Sequence, residues 1–337
     1  MKHKNIPVFI PHLGCPNNCV FCNQRSISGK QEFIKESVDN EIKNALSTIG
    51  EDCETEIAFF GGSFTGIDRE LMIYLLDTAQ KYIEQGRVHS IRLSTRPDYI
   101  NDEILTLLSR YGVKTIELGL QSMDDKVLAA TKRGHSSECG ERACRLVKEY
   151  GFSLVGQMMV GLPESTIESE IYTANKLCEL GVDAVRIYPT VVFYDTELCH
   201  MAECGAYTPI DNDIAVERTK ELIKIFDKNS VECIRVGLCA SENLSSEQAV
   251  FGGANHSAIG ELAMGEVYFD KMCELIEKSP SVKGKKVTFY VKNGAVSKAV
   301  GQKKKNIERI YKKYSPLGVK VLEKNEILGY NIMIDII

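Results

Sequence analysis

The stretch IPVFIPHLGCPNNCVFC, residues 6–22, decides how the rest of the chain is interpreted. Its first five residues are apolar and predict a strand over residues 6–10. The loop that follows carries Cys15, Cys19 and Cys22 in the spacing C-x3-C-x2-C. Three thiolates on one short loop can each bind a different iron of a cubane and leave the fourth iron without a protein ligand. The loop therefore predicts a [4Fe-4S] cluster with one open iron, placed directly after a strand.

Zinc is the competing metal for this loop. Structural zinc takes four Cys or His ligands, and His12 would supply the fourth. Twelve cysteines in a chain without an export signal indicate metal ligands and buried thiols rather than disulfides. Two C-x4-C pairs have a spacing that an auxiliary cluster would also use, but we interpret every cysteine outside the first loop as a buried thiol. These are Cys53, Cys139, Cys144, Cys178, Cys199, Cys204, Cys233, Cys239 and Cys273.

Short apolar or β-branched runs alternate with amphipathic stretches over the first 190 residues. The predicted strands cover residues 6–10, 56–60, 90–94, 113–118, 153–159 and 184–188. Such alternation indicates βα units and a parallel sheet. Six units curl a sheet but do not close an eight-stranded barrel. The predicted fold class is therefore α/β, a partial (β/α)6 TIM-like barrel followed by a small C-terminal α+β module.

The remainder of the chain predicts covering segments and then this module. Helices are expected over residues 210–227 and 260–277, around one more strand at residues 233–238. Strand, helix and strand follow at residues 286–291, 303–314 and 320–335, the last with a hairpin around residues 324–325. We assign residues 1–260 to the barrel with its covering segments, and residues 261–337 to a helix and a small basic module.

Charge is unevenly spread along the chain. Residues 281–337 contain 13 Lys and Arg against 4 Asp and Glu, whereas residues 1–280 carry a net charge of −14. A basic tail on an acidic body predicts an anionic partner, and a solvated lysine-rich surface is the alternative. No apolar run approaches the ~18 residues of a membrane span, and the N-terminus lacks a signal peptide. We therefore expect no membrane contact and a cytoplasmic location.

Glycine and polar residues stand where predicted strands end, which is where barrels place their active residues. The second strand runs into FFGGSF, and Gly61, Gly62 and Ser63 let the backbone approach a ligand closely. The third strand ends in LSTRPD, which contains Ser94, and the fifth carries Gln157. These residues predict a ligand site along one edge of the sheet.

The fourth strand and the segment after it supply Glu117, Gln121 and Arg133. The guanidinium of Arg133 suits a carboxylate, and the amide of Gln121 suits ribose hydroxyls. The alternative for Arg133 is an exposed ion pair with Asp124 or Asp125.

Two later segments also contain candidates. Arg186 and Tyr188 close the sixth strand and are expected to face the substrate, with a structural rim arginine as the alternative. His256 lies in GGANHSAIGELAMGE, where a catalytic role and a simple hydrogen bond both stay open.

The spacing C-x3-C-x2-Φ-C, with Phe21 as the aromatic, resembles the signature of the radical S-adenosylmethionine (SAM) superfamily. In that family the open iron binds the methionyl amine and carboxylate of SAM, and one electron cleaves SAM to a 5'-deoxyadenosyl radical. The resemblance implies a [4Fe-4S] cluster and SAM as cofactors, and hydrogen abstraction as the first chemical step. It assigns SAM contacts to Phe21, Gly61, Gly62, Ser63, Ser94, Glu117, Gln121, Arg133 and Gln157.

The stretches STRPD, LGLQS and GQMMVGLPEST narrow the resemblance. They are similar to the branch that includes the radical SAM domain of the Elongator catalytic subunit, which modifies wobble uridines in tRNA. A more distant similarity is to oxygen-independent coproporphyrinogen III oxidase. Those relatives usually have an acidic residue where this chain has Ser94, and the coproporphyrinogen oxidases have an acidic ribose ligand where it has Gln157.

The basic tail and the resemblance together predict an RNA substrate and a role in tRNA modification. The segments KKVTFYVKNG and GQKKKNIERIYKKY interleave lysines with Phe289, Tyr290, Tyr311 and Tyr314, a pattern typical of nucleic-acid binding. The resemblance also implies an electron donor such as flavodoxin or ferredoxin. Two alternatives stay open, namely a small-molecule oxidoreductase of the coproporphyrinogen oxidase type and a non-catalytic cluster- or zinc-bearing RNA-binding adaptor.

Overall fold

Seven parallel strands form one curled sheet in the computed structural model, which describes residues 2–11, 13–15, 19–23, 33–50, 52–238 and 248–337. The first nine strands are β1 (Lys2–Ile10), β2 (Cys53–Gly61), β3 (Ser90–Thr95), β4 (Val113–Gln121), β5 (Ser153–Val160), β6 (Ala184–Pro189), β7 (Val191–Phe193), β8 (Glu232–Val236) and β9 (Val250–Gly253). The order in the large sheet is β1-β2-β3-β4-β5-β6-β8, and β7 pairs with β9 in a separate antiparallel ribbon.

Helices alternate with the strands and pack on the sheet. They are α1 (Val38–Ser47), α2 (Arg69–Glu84), α3 (Asp102–Ser109), α4 (Asp125–Ala130), α5 (Ser137–Glu149), α6 (Ile167–Glu179), α7 (Glu197–Glu203), α8 (Asn212–Lys228) and α9 (Ile259–Glu277). Side-chain caps fix several helix starts: Asp68 accepts from two backbone N–H groups of α2, and Asn101 accepts from one of α3. Because the strands of the large sheet are parallel and helices follow them along the chain, the strand-to-helix loops collect at one edge of the sheet.

The predicted partial TIM-like barrel is confirmed. All six predicted strands are present, and the segment at residues 233–238 adds a seventh by pairing with β6 as β8. The strand face that packs against the helices is apolar, as a sheet covered by helices requires. Ile57, Phe59, Ile91, Leu93 and Ile116 are all fully buried.

The C-terminal module contains β10 (Lys286–Val291), α10 (Val296–Val300), α11 (Lys305–Tyr314), β11 (Gly318–Glu323) and β12 (Met333–Ile336). The predicted hairpin around residues 324–325 is wrong. The central strand β10 lies between the other two, parallel to β11 and antiparallel to β12, so β11 and β12 do not pair with each other. The better-buried strand Lys286–Val291 takes the middle position because it carries the fully buried Phe289.

Helix α9 serves two apolar cores. Its first half, including Ala263 and Val267, packs in the barrel core, and Tyr268, Met272 and Ile276 pack in the core of the C-terminal module. Among the described residues, no helix combines the length and the apolar character needed to cross a lipid bilayer.

Candidate active site

A cavity of about 210 Å³ opens where the strands of the curled sheet end. Seven residues predicted as site residues line it, from the first loop and from four different strands: Phe21, Cys22, Gly61, Ser94, Glu117, Gln121 and Gln157. Its other walls are formed by Phe9, Phe60, Met159, Arg186, Tyr188, Val191, Phe193, Arg235 and Leu238. Residues far apart in sequence thus meet in one partly apolar pocket, as barrel folds arrange for ligands.

The glycine turn after β2 packs tightly against the cysteine loop. Gly62 N–H donates to the carbonyl of Ile10 at 2.8 Å, and Ser63 N–H donates to the carbonyl of Leu13 at 2.9 Å. A Cβ at Gly62 would lie 1.9 Å from the Leu13 oxygen, and one at Gly14 would lie 2.2 Å from the Ser63 oxygen. Glycine is therefore required on both sides of this contact, which fixes the start of the cysteine loop against β2.

Ser63 itself is turned away from the cavity. Its side chain is fully buried, its Oγ shares a hydrogen bond with Thr95 Oγ1 at 2.8 Å, and it accepts from Arg96 N–H at 3.2 Å. The hydroxyl thus ties the turn after β2 to the end of β3. Only the backbone of Gly61 reaches the cavity wall from this turn.

The cysteine side chains lie beside two buried arginines. Cys19 is buried, whereas Cys15 and Cys22 are half-buried. Arg133 Nη1 donates to Cys19 Sγ at 3.5 Å. Burial raises the pKa of the Cys15 thiol, and the charges of Arg133 and then Arg96 act in the opposite direction. Burial outweighs these two charges, so the pKa of Cys15 lies above its ordinary value.

The three cysteines do not converge on one point. Across the described ranges, no three Cys, His, Asp or Glu side chains are close enough together to hold a single metal ion. A cubane takes each thiolate on a different iron, so its ligands need not converge as those of one zinc ion must. His12, the predicted fourth zinc ligand, lies outside the described residues, as do residues 16–18. Cluster binding by Cys15, Cys19 and Cys22 stays a prediction.

Arg133 is not a surface residue. Only 6% of it is exposed, and Nη2 donates to the carbonyl of Gly119, so the predicted alternative of an exposed ion pair with Asp124 or Asp125 is wrong. Its Nε is buried without a hydrogen-bond partner among the described residues, as is Oε1 of Gln121. Gln121 also has φ of 68°, a left-handed conformation that is uncommon outside glycine and clusters at functional sites. Unsatisfied buried polar atoms beside a cavity fit a polar ligand.

A chain of buried ion pairs crosses the sheet below the cavity. Glu117 is fully buried and accepts from Arg92 at 3.0 Å and from Arg186 at 2.7 and 2.9 Å. Arg92 also pairs with Glu56 on β2. Gln157 Nε2 donates to Glu117 at 2.9 Å and to Ser94 Oγ at 3.3 Å. The carboxylate of Glu117 is therefore neutralised by arginines from both sides.

The rim positions named from the sequence have definite partners. The guanidinium of Arg186 lies 5.5 Å from the ring centroid of Phe60, in addition to its bonds to Glu117. Tyr188 lines the cavity. His256 accepts from Ala258 N–H at 3.1 Å near the start of α9 and does not line the cavity, so the geometry supports the simple hydrogen bond.

The prediction that the other cysteines are buried thiols holds for three of the eight that the structure describes. Cys144, Cys199 and Cys273 are buried, and Cys53, Cys139, Cys178 and Cys233 are half-buried. Cys204 is exposed, so its assignment as a buried thiol is wrong; it lies at the solvent-facing end of α7. Cys239 lies outside the described residues.

Sequence reasoning did not single out Arg92, Arg96, Glu56 or Arg235. The charged residues Glu56 and Arg92 interrupt apolar strands, and this signal would have indicated a buried ion pair. Arg96 stands in the STRPD motif, two residues after Ser94. It is 2% exposed, and Asp98 holds its Nε and Nη2 at 2.9 and 2.8 Å.

A curled parallel sheet with a ligand cavity and three cysteines at its carboxyl edge defines a cofactor-dependent (β/α)-barrel enzyme. The Radical SAM superfamily model matches residues 9–189, and the Radical_SAM C-terminal domain model matches residues 182–268. The chain belongs to the radical SAM superfamily. It is a radical SAM enzyme, and the cofactors of this family are a [4Fe-4S] cluster and SAM.

Individual relatives support this membership. An uncharacterized protein of Methanocaldococcus jannaschii is 31% identical over 226 residues, which cover 62% of this chain and 67% of that protein. A tRNA uridine(34) acetyltransferase of Methanocaldococcus infernus is 34% identical over 150 residues, 42% of this chain but only 28% of the relative. The structure of Methanocaldococcus infernus Elp3 with an N-terminal deletion matches with a TM-score of 0.62 and 22% identity, over 82% of this chain and 63% of that chain. The fold is therefore shared with Elp3, whereas this chain matches less than two thirds of the length of either the acetyltransferase or the Elp3 chain.

Proposed function

We propose that Cys15, Cys19 and Cys22 hold the [4Fe-4S] cluster and that SAM binds in the adjoining cavity, so that hydrogen abstraction from an RNA substrate begins there. The observation that carries this proposal is the single cavity lined by Cys22 together with Gly61, Gln121 and other predicted SAM contacts. The cluster, when bound, supplies the electron that cleaves SAM reductively to a 5'-deoxyadenosyl radical.

The protein groups have separable roles in this proposal. The Gly61 backbone offers the polar groups of a turn to the methionyl end of SAM, while Gly62 holds that turn against the cysteine loop, and Arg133 offers a cation for the SAM carboxylate. Gln121 holds a free buried oxygen that suits a ribose hydroxyl. Phe9, Phe21 and Phe60 supply apolar wall, which limits water around a reactive intermediate.

Glu117 and Gln157 fit a supporting role best. Both line the cavity, but their polar atoms already bond to Arg92, Arg186 and Ser94. We propose that Glu117 and Gln157 set the shape and the charge of the cavity floor. Their predicted contacts with SAM are then limited to the side-chain faces that these hydrogen bonds leave open.

The cofactor part is tested by anaerobic reconstitution followed by measurement of iron per chain and of 5'-deoxyadenosine after addition of dithionite and SAM. Cys19→Ala should abolish 5'-deoxyadenosine and lower the iron content. Cys204→Ala is the matched control because this thiol is exposed and outside the cavity, and it should behave as wild type. Zinc in place of iron, or iron that never supports SAM cleavage, would contradict the proposal and favour a non-catalytic adaptor.

The RNA part is supported by a basic groove in the C-terminal module. Lys298, Lys303 and Lys304 line a cavity of about 320 Å³ beside Glu261, and none of the three has a carboxylate partner among the described residues. Two of the aromatic residues predicted to bind RNA make other contacts within the protein. Phe289 is fully buried, and Tyr314 donates to Glu277 at 2.6 Å, so neither is available to stack on bases. Tyr311 is 40% exposed and stays a candidate.

Salt-dependent tRNA binding tests this part. Changing Lys298, Lys303 and Lys304 together to Gln should weaken binding and reduce the dependence of log K on log salt by about 0.7–0.9 for each phosphate that the variant no longer neutralises. The charge-matched control changes Lys81, Arg110 and Lys114 to Gln, because all three lie exposed at the opposite edge of the barrel. Equal weakening in both triple variants, or binding that salt does not affect, would favour the small-molecule alternative.

The proposal also includes a protein electron donor such as flavodoxin or ferredoxin, since reductive SAM cleavage needs an external electron. A cytoplasmic location belongs with it, because such donors and tRNA are found there. Replacing dithionite with reduced flavodoxin in the same assay should sustain 5'-deoxyadenosine formation.

A further inference from the structure

Two arginines approach the cysteine loop from different strands. Arg133 follows β4 and donates to Cys19 Sγ at 3.5 Å. Arg96 follows β3, and its backbone N–H bonds to Ser63, on the turn that contacts Leu13 and Gly14. Both side chains are more than nine-tenths buried. Two guanidinium charges are therefore held out of water, and both act on the Cys15 thiol.

Asp98 holds the guanidinium of Arg96 in a way that leaves one of its nitrogens without a hydrogen bond to the described residues. Asp98 binds Nε and Nη2 in a bidentate pair, which fixes the plane of the guanidinium. Nη1 is buried and has no hydrogen-bond partner among the described residues. A buried N–H group without a partner is costly, so its retention indicates a group that arrives later.

The cluster would provide that group. Three thiolates give an oxidised [4Fe-4S]²⁺ cluster a net charge of −1, and one-electron reduction makes it −2. A fixed buried cation stabilises the more negative state more strongly, and low local polarity increases the effect. Hydrogen bonds to the sulfur atoms and nearby charge are among the main factors that set cluster potentials.

We propose that Arg96, oriented by Asp98, raises the reduction potential of the cluster. It does so by holding a buried positive charge beside the Cys15–Cys19 loop. The inference rests on the proposed function, because it needs the cluster to sit on these cysteines. The charge of Arg96 favours the transfer of one electron from the reductant to the cluster, where the electron stays. Arg96 itself gains and loses no proton.

The test is an EPR-monitored redox titration of the reconstituted full-length protein without SAM. Arg96→Gln should lower the ratio of reduced to oxidised cluster at a given potential about tenfold, which equals a shift of about 59 mV for a one-electron couple. Arg96→Lys keeps the charge and should titrate close to wild type. Arg110→Gln removes one exposed charge at the opposite edge of the barrel and should leave the titration unchanged.

Asp98 supplies an opposite-sign check that does not require removal of Arg96. Asp98→Asn removes a negative charge and should shift the cluster toward easier reduction, whereas the Arg96→Gln/Asp98→Asn double variant should return toward wild type. Full iron content with an unchanged potential in Arg96→Gln would overturn the inference. If Arg96→Gln does not fold, an unchanged potential in Asp98→Asn would overturn it. Absence of a cluster in the wild-type protein would instead contradict the proposed function.

Discussion

Glu117 shows how a single buried residue holds the cavity floor. It lies between Arg92 and Arg186, and removal of one partner from a buried ion pair leaves an uncompensated charge. Glu117→Gln should therefore lower the free energy of unfolding by about 3 kcal/mol, the lower end of the usual range because Arg92 keeps Glu56. Urea denaturation measures this. Glu54→Gln, an exposed change on the same strand as Glu56, is the control, and equal stability of the two variants would contradict the buried network.

The same network makes the free energy of unfolding depend on pH. Burial raises the pKa of Glu56, but hydrogen bonds from Ser90 and Arg92 and the charge of Arg92 outweigh it, so the pKa falls below its ordinary value of 4.5. A carboxyl whose pKa is lower in the folded state contributes stability that is fully present above its unfolded-state pKa and is lost as the pH falls through its folded-state pKa. As the pH falls below about 4.5, wild type should therefore lose more stability than Glu56→Gln. Parallel pH profiles for the two would contradict the assignment, and Glu54→Gln should follow wild type.

At the scale of elements, the contact between the β2 turn and the cysteine loop decides whether a cluster site forms. A methyl group at Gly62 would overlap the Leu13 carbonyl oxygen and push the loop away from the strand end. Gly62→Ala should therefore reduce the iron bound after reconstitution to less than half of the wild-type amount. Gly50→Ala is the matched control because nothing lies within 4 Å of its Cβ position. Full iron content in Gly62→Ala would show that the loop finds its place without this contact.

The elements differ in how far the sequence predicted them. Strand β5 was predicted over residues 153–159 and spans Ser153–Val160, because an apolar run bounded by turn residues is a local signal. The pairing of Glu117 with Arg92 and Arg186 depends on the register of strands β3, β4 and β6, which no local pattern encodes. The predicted hairpin at residues 324–325 is wrong for the same reason. Both β11 and β12 pair with β10 and not with each other, and no local pattern in the sequence encodes that pairing. Local signals therefore predicted several of the residues that line the cavity, whereas strand register determined which of their polar groups are already hydrogen-bonded.

At the scale of the whole molecule, helix α9 connects the core of the barrel to the core of the C-terminal module. This helix packs Val267 in the barrel core and Tyr268 in the module core, where the Tyr268 ring lies 5.1 Å from that of Tyr330. The predicted division after residue 260 places the entire helix with the module. The apolar side chains of this helix lie in both cores, so we expect the barrel and the module to be coupled in stability.

Phe289→Ala tests this coupling because Phe289 lies fully buried in the module core, far in sequence from the barrel strands. Truncation of a buried phenylalanine costs about 3–5 kcal/mol. If α9 transmits this destabilisation, hydrogen exchange followed by mass spectrometry should show faster exchange in β10 and also in α8, which packs on α9. Faster exchange limited to the module would mean that the barrel is stable on its own. Leu322→Ala is the control, since this module side chain is 45% exposed and should leave exchange in α8 unchanged. Coupling would matter for function, because it would hold the basic groove in a fixed place relative to the cavity.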